Sequence, residues 1–347
     1  MLTKRIGSFD AVKALAIFLV LWAHCVQHLG PLDRFDDITY VFIYSFDMPL
    51  FMLVAGYFST SSLKMKFSPL FLKKLKEIII PCLSWGLIVI VVSLIIERDW
   101  SLKKGFYAAV VKEYWFLRSL FFCYLLGNVI TRCKKTLRII LLICVSVISL
   151  YKLNVMFPAF MCGYYIRQHS MLENPKFTSL KVVLPLAGIF LFLNYFCDAH
   201  FLNTNNNVPE IFQIGSLCVW GNYFYKTFYR IVVGLSGSLV IVILFYKYVK
   251  CPPSFICKIG SVTMGIYLVQ RVLLERLLPQ MFKYEGGVIV FDMIVSPLIS
   301  TAIMIACYYI ILLIQRNKIT RQILLGRWNI ISGNFKLNDI QTFLKQI

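Results

Sequence analysis

The sequence predicts an all-α protein, a polytopic bundle of about ten transmembrane helices with both termini in the cytoplasm. The chain of 347 residues is 59% hydrophobic and only 15% charged, and its mean hydropathy is +0.75. Soluble domains are about half apolar and about a quarter charged, so this composition indicates a membrane protein. Apolar segments recur along the whole chain, and short clusters of Lys and Arg lie between them.

Ten apolar segments are candidates for membrane spans, at residues 11–30, 38–58, 78–96, 115–131, 138–151, 153–166, 181–197, 231–248, 261–279 and 288–314. The stretch 138–166 is ambiguous. It could be one long helix, which gives nine spans, or a short hairpin that turns at residues 152–154, which gives ten. The distribution of basic residues decides between nine and ten spans, since cytoplasmic loops carry an excess of Lys and Arg. Ten spans with an inside N-terminus place 23 basic residues inside and 11 outside, whereas nine spans give 16 and 17. We therefore expect ten spans.

The net charge of +20 arises from these loop clusters, so it does not indicate binding to nucleic acid. The eleven cysteines are scattered without a CxxC pair, so neither a metal site nor a disulfide framework is expected. No small-residue cleavage site follows the first apolar stretch, which is therefore expected to stay as an uncleaved span. Residues 1–320 are expected to form the membrane domain, and residues 321–347 a basic cytoplasmic tail along the lipids of the inner leaflet.

The first span carries four ionisable side chains: Asp10, Lys13, His24 and His28. On an α-helix the step from Lys13 to His24 makes about three full turns and rises about 16 Å, so both side chains lie on one face. Ionisable groups at such depth are costly unless they face a bundle interior or a hydrated cavity, which makes them candidates for function. The structural alternative is a Lys13 that pairs with Asp10 at the inner interface and a His24 that is only packed.

Six short motifs run in order over nearly the whole chain. The first is a basic residue, ten further residues and a histidine, here Lys13 and His24; the others are residues 45–57 (SFDMPLFMLVAGY), 80–86 (IPCLSWG), 114–117 (YWFL), 157–165 (FPAFMCGYY) and 259–270 (IGSVTMGIYLVQ). Together they resemble the acyltransferase 3 family of integral membrane enzymes, which O-acylate surface polysaccharides. The resemblance implies ten spans in a bacterial inner membrane. It also implies acetyl-CoA or another acyl-CoA as donor, and a surface polysaccharide or its lipid-linked precursor as acceptor.

Three positions depart from the family pattern. Lys13 stands where arginine is commoner, which keeps the charge but loses the two-pronged guanidinium contact. Asp47 and Gln270 stand where histidines are frequent in the second and ninth spans. His24 is kept, so an active enzyme is expected, while the acceptor contacts and any auxiliary acid–base role are left open.

His24 is the predicted catalytic base, because a neutral imidazole can take the proton of an attacking sugar hydroxyl. Asp47 is its predicted catalytic partner, which would orient or stabilise the imidazole. Lys13, with Asp10 on the same face, is predicted to meet the acyl-CoA as it threads inward from the cytoplasm. The remaining predicted binding residues lie at the depth of His24, and they are Trp115, Arg118, Arg230, Tyr267 and Gln270.

Of these binding residues, Arg118 or Arg230 would hold the oxyanion or the acceptor. The structural alternatives are that both arginines anchor span ends at the interface, that Asp47 caps a helix, and that Trp115 and Tyr267 belong to an aromatic belt. The donor phosphates would meet cytoplasmic basic residues that otherwise fix the topology, drawn from Lys64, Lys66, Lys73, Lys74, Lys76, Arg132, Lys134, Lys135 and Arg167.

Two other functions stay open at this point. A transporter or flippase for a lipid-linked saccharide would also have many spans and a polar lumen, although the internal repeats usual in such proteins are not visible. A non-catalytic relative would have kept the scaffold and lost the chemistry, as the residues Asp47 and Gln270 would allow.

Overall fold

The computed structural model describes residues 7–96, 113–146, 148, 150–197 and 217–328. Within these ranges the structure is helical, and no residue lies in a β-strand. The all-α prediction is therefore confirmed for the described part of the chain.

The described helices are numbered in chain order. The first helices are α1 (Gly7–Leu29), α2 (Ile38–Tyr44), α3 (Asp47–Tyr57), α4 (Thr60–Leu63), α5 (Phe67–Lys74), α6 (Ile80–Ile96), α7 (Trp115–Ile130) and α8 (Lys135–Val145). The later ones are α9 (Leu153–Gln168), α10 (Leu180–Tyr195), α11 (Leu217–Tyr248), α12 (Ser254–Gly260), α13 (Thr263–Val272), α14 (Leu278–Met281), α15 (Val288–Val290), α16 (Ser296–Arg316) and α17 (Lys318–Leu325). Three π-helical turns lie within this series, at Leu75–Ile79, Leu273–Leu277 and Phe291–Val295.

Each of the ten predicted apolar segments overlaps a helical stretch of this series. Among the described residues, five stretches are long and apolar enough to cross a membrane: Gly7–Leu29, Ile38–Tyr57, Phe67–Ile96, Tyr223–Tyr248 and Val288–Arg316. A sixth is added if Ser254–Gly260 and Thr263–Met281, which meet at a bend of 68°, form one span. The helices α7 to α10 have 11 to 16 residues, fewer than the roughly 20 that a bilayer requires. A membrane-embedded helical protein is thus supported, and the count of ten spans remains a prediction.

The ambiguous stretch 138–166 is broken rather than continuous. Helix α8 ends at Val145 and α9 begins at Leu153, with a single 3₁₀ turn between them. Tyr151 and Lys152 adopt φ values of 49° and 58°, a left-handed conformation that no α-helix accommodates. The chain therefore turns close to the hairpin position that the sequence analysis proposed.

Helices α3 and α9 approach each other more closely than any side chain would permit. A methyl group added at Gly56 would overlap the carbonyl of Phe160, and one added at Gly163 would overlap the carbonyl of Leu53. Small residues that let two backbones touch are a common means of helix association in membranes. This contact anchors the second motif to the fifth, and it lies beside the cavity described below.

Both ends of the described chain lie at the same end of the bundle. Gly260 packs directly on the backbone of Asp10 near the start of α1. Arg327, beyond α17, donates a hydrogen bond of 2.9 Å to the carbonyl of the adjacent Ser261. This arrangement is what an even number of crossings would produce. Helix α17 passes through the predicted domain boundary at residue 320 and packs against α6, where the Trp85 indole donates to the Leu324 carbonyl at 2.9 Å.

Candidate functional site

Helix α1 presents its four ionisable side chains in two groups. At its start, the Lys13 ammonium lies 2.7 Å from the Asp10 carboxylate, which is buried. Further along, the rings of His24 and His28 stack with centroids 5.9 Å apart, because residues four apart are neighbours on a helix. Both groups are on the side of α1 that faces protein, with side-chain exposures between 5% and 26%.

The carboxylate that meets these imidazoles is that of Glu275. Its Oε1 atom lies 3.6 Å from His24 Nδ1, and its Oε2 atom lies 3.9 Å from His28 Nε2. Glu275 is buried in the π-helical turn Leu273–Leu277 that follows α13. Such turns insert one extra residue into a helix and are frequent at functional sites.

Two arginines and a second glutamate surround this carboxylate. Arg271 lies 2.9 Å from Glu275 and 2.7 Å from Glu113, so it bridges the two acids. Arg276 binds the other oxygen of Glu113 at 2.8 Å. Gln270 donates a hydrogen bond of 3.3 Å to Glu275 Oε1, the same oxygen that faces His24. We call this group, with His24 and His28, the histidine–glutamate cluster. Its two carboxylates and two guanidinium groups balance, as buried charges require.

His24, His28 and Glu275 have the ligand types and the spacing of a metal site. One ligand atom from each lies within 4.8 Å of the others. Arg271 already supplies a positive charge at 2.9 Å from Glu275, and this charge opposes a divalent cation at the same carboxylate. These side chains therefore fit direct imidazole–carboxylate contacts better than coordination of a metal cation.

A cavity of about 180 Å³ lies beside Lys13 at the start of α1. Tyr267 lines it and packs edge-on against Phe116, with ring centroids 5.6 Å apart. The Tyr267 hydroxyl is buried and, among the described residues, makes no hydrogen bond of normal geometry. Lys13 is the one charged side chain of the described lining, and the rest is largely apolar. A wider pocket of about 440 Å³ lies next to it, and Leu120 and Met264 line both.

Asp47, the predicted partner of His24, lies in a different cluster. Its side chain accepts a hydrogen bond of 2.6 Å from the backbone N–H of Met48 at the start of α3, and it is buried. The charges that act on it are those of Lys152 and Arg230. The sequence placed Asp47 beside His24 from depth alone, and depth does not specify which neighbours a side chain meets across a bundle.

Lys152 joins several predicted binding residues. Its ammonium lies 4.4 Å from the ring centroid of Trp115 and 4.9 Å from that of Tyr44, to whose hydroxyl it also donates. Arg230 lies over the same Tyr44 ring at 5.6 Å. Asp47, Trp115 and Arg230 thus come together around Lys152, which we call the lysine–aromatic cluster. Arg118 is buried separately, over the ring of Tyr151 at 5.7 Å.

The sequence analysis did not single out Glu275, Arg271 or Glu113. Arg271 and Glu275 are four residues apart near the end of the ninth predicted span, a spacing that pairs opposite charges on one helix face. Ionisable residues inside an apolar segment are themselves a signal of function. That signal is present in the sequence, near the end of the ninth apolar segment.

Comparison with known proteins gives one family and one curated relative among the matches. The family described as an acyltransferase domain (Acyl_transf_3) matches residues 6–316 and includes all six motifs, which confirms the resemblance inferred from them. The nodulation protein NolL of Mesorhizobium japonicum is 33% identical over 132 residues. The alignment covers 36% of this chain and 35% of NolL, so the chain matches about a third of that relative's length. No solved structure matches the chain.

Proposed function

The chain belongs to the acyltransferase 3 family of acyltransferase domains, and from that premise we propose that it is a membrane O-acyltransferase. It transfers an acyl group, with acetyl the expected one, from acyl-CoA to a hydroxyl of a cell-surface polysaccharide or its lipid-linked precursor. The proposed location is a bacterial inner membrane, crossed by about ten spans, with both termini in the cytoplasm.

The observation that carries this proposal is the contact of 3.6 Å between His24 Nδ1 and Glu275 Oε1. A carboxylate at Nδ1 favours the tautomer that carries its proton there, which leaves Nε2 as the basic nitrogen. A catalytic contact of this length in a substrate-free site is expected to shorten when the substrate binds. Glu275 therefore takes the orienting role that the sequence analysis gave to Asp47.

In the proposed reaction, His24 Nε2 takes the proton of the acceptor hydroxyl as its oxygen attacks the thioester carbonyl. The tetrahedral intermediate collapses with cleavage of the carbon–sulfur bond, and the departing thiolate takes the proton back from the imidazolium. A donor is needed for the oxyanion, and the buried Tyr267 hydroxyl, which lines the cavity, is the proposed one. Lys13, in the same lining, would meet the donor on its way inward.

The lysine–aromatic cluster is the proposed contact surface for the acceptor. Aromatic rings suit the apolar faces of sugars, and cations such as Lys152 and Arg230 suit their hydroxyl oxygens or acidic groups. Asp47, Trp115 and Arg230 keep a binding role in this proposal, and Arg118 lies next to the same region above Tyr151.

The test is transfer of radiolabelled acetyl from acetyl-CoA to the host's surface glycan by the purified protein in lipid nanodiscs. His24→Ala is expected to reduce transfer to below about a hundredth of the wild-type rate, because the proton acceptor is gone. His169→Ala is the matched control, since His169 is exposed at the end of α9. Both variants must match the wild type in elution volume on size-exclusion chromatography and in melting temperature.

Two outcomes would replace this proposal. Movement of the glycan across the membrane without transfer of label would identify a transporter. Neither transfer nor movement would identify a relative that has kept the scaffold and lost the chemistry.

A further inference from the structure

The chain continues past the residues that match the family, and this extension packs onto the bundle. Asn317 precedes helix α17 (Lys318–Leu325) and caps it, since its side chain accepts a hydrogen bond of 2.8 Å from the Ile319 N–H; Gly326, with a φ of 64°, follows the helix. Leu325 is buried, and its side chain contacts α13 at Gly265. The extension is therefore a fixed part of the structure through Trp328, although residues 317–328 lie outside the family match at 6–316.

This extension supplies one wall of the pocket of about 440 Å³. Leu325, Gly326, Arg327 and Trp328 all line it, together with Lys74 at the end of α5, Glu77 in the π-helical turn Leu75–Ile79 and Tyr124 in α7. The Trp328 indole donates to the Lys76 carbonyl at 3.0 Å, and the Lys76 ammonium lies 5.5 Å from the Trp328 ring centroid. An aromatic ring and several cations thus lie around one opening.

The positive charge here is not balanced within the described chain. Glu77 pairs with Lys74 at 2.8 Å and contacts Lys73 at 4.0 Å. Arg321 and Arg327 form no ion pair with any described carboxylate, and the Arg321 Nε atom is buried with no hydrogen-bond partner in the same part of the chain. Burial and the neighbouring Arg321 guanidinium lower the pKa of Arg327. A bound anion would relieve both effects.

The pocket leads toward the candidate site. It shares Leu120 and Met264 with the cavity of about 180 Å³ that contains Lys13 and Tyr267. Met264, Tyr267, Arg271 and Glu275 follow at intervals of three and four residues, so they lie along one side of the same helical stretch. A long, thin molecule with its charged end at Arg327 would point its other end toward His24.

We infer that residues 317–328 complete a binding site for the phosphorylated nucleotide of the acyl-CoA donor, with Arg327 on a phosphate and Trp328 against the base. The pantetheine arm then passes Leu120 and Met264 into the smaller cavity. This inference rests on the proposed function for the identity of the donor. Guanidinium groups bind phosphate oxygens through paired charge-assisted hydrogen bonds, and bases stack on aromatic rings.

Direct binding tests the inference without turnover. Isothermal titration of the nanodisc-embedded protein with CoA, dephospho-CoA and pantetheine separates the contribution of the phosphates from that of the arm. Arg327→Ala and Trp328→Ala are each expected to weaken CoA binding by about tenfold and to leave pantetheine binding unchanged. Lys318→Ala is the matched control, because Lys318 is an exposed cation on the same helix. Arg327→Lys should restore part of the affinity.

Each outcome separates this inference from the proposed function. Tight CoA binding that Arg327→Ala leaves unchanged overturns the inference and leaves the acyltransferase proposal intact. Weaker CoA binding by Arg327→Ala supports the inference even if His24→Ala has no effect on transfer. No CoA binding by the wild type overturns both. An increase in CoA affinity on omission of anionic lipid from the nanodiscs, together with equal CoA affinities of Arg327→Ala and wild type in lipid-free conditions, would assign Arg327 to lipid headgroups, and this too overturns the inference.

Discussion

Glu275 contacts more polar groups of the candidate site than any other described side chain. It faces His24, His28, Arg271 and Gln270, each through a contact of 3.9 Å or less. Arg271 supplies the opposite charge beside this carboxylate, and the carboxylate faces Nδ1 of His24. In the proposed reaction, the position of this one side chain sets the tautomer of the imidazole.

Replacement of Glu275 by glutamine keeps its volume and removes its charge. We expect Glu275→Gln to lower kcat by roughly a hundredfold or more, because His24 loses the partner that holds its tautomer and stabilises its protonated form. The measurement is steady-state acetyl transfer at saturating acetyl-CoA. Glu285→Gln is the control, since Glu285 is exposed. Activity of Glu275→Gln equal to that of the control would leave His24 without an orienting partner and contradict the proposed role.

At this scale the sequence predicts what a single helix can specify. The positions of Asp10, Lys13, His24 and His28 on α1 follow from helical spacing, and the structure keeps all four against protein. The partner of His24 could not be predicted, because Glu275 comes from the ninth apolar segment and only tertiary packing brings it there. Depth in the membrane favoured Asp47 as the partner, but depth does not specify which side chains meet across a bundle.

Between elements, two helices line the proposed path from the pocket to the imidazole. Helix α1 contributes Lys13 and His24, and the stretch from α13 into its π turn contributes Tyr267 and Glu275. The steps from Lys13 to His24 and from Met264 to Glu275 both span eleven residues, or about 16 Å of helix. The two helical stretches that flank the proposed path are therefore similar in length.

The contact between α3 and α9 should tolerate no added methyl group. We expect Gly163→Ala to lower the free energy of unfolding by about 1–3 kcal/mol or more, because the new Cβ would overlap the backbone at Leu53. Thermal melting in detergent measures the loss. Gly188→Ala is the matched control on another apolar helix, since a Cβ there would have no atom within 4 Å, and it should melt like the wild type. Equal melting temperatures for the two variants would show that α3 and α9 can move apart without a loss of stability, which contradicts the prediction.

The sequence predicts the existence of the helices better than their lengths. Hydrophobic segments locate each helical stretch, but α8 has only 11 residues and α13 meets α12 at a bend of 68°. Such breaks depend on which neighbours can bond to the freed backbone groups, and apolar composition does not record those neighbours. The π turns are equally hidden, because one inserted residue shifts a helix without changing its hydropathy.

At the scale of the whole molecule, the charge distribution predicts the orientation in the membrane. Asp10 and Arg327 reach the same short segment at residues 260–261, so the described ends lie on one side of the bundle. Basic residues are concentrated in the loops predicted for that side. The sequence predicts that this side is cytoplasmic, a prediction that needs no knowledge of the packing because charge bias acts on the loops alone.

Reporter fusions in a bacterial host test the topology. Alkaline phosphatase fused after Ile347 should be inactive and green fluorescent protein there should fluoresce, because the C-terminus is predicted to be cytoplasmic. Alkaline phosphatase fused after Gly287, between the ninth and tenth apolar segments, should be active. Equal phosphatase activity at both positions would contradict an odd number of crossings between them and would remove the tenth span.

The π turn at Leu273–Leu277 makes the site depend on chain length as well as on composition. A helix rotates by about 100° for each residue, so loss of one residue from this turn would swing everything beyond it around the axis. Arg276 would then leave Glu113, although no side chain of the histidine–glutamate cluster had been replaced. Single-residue indels near residue 275 are therefore a kind of variation that this protein should resist more strongly than it resists many point changes.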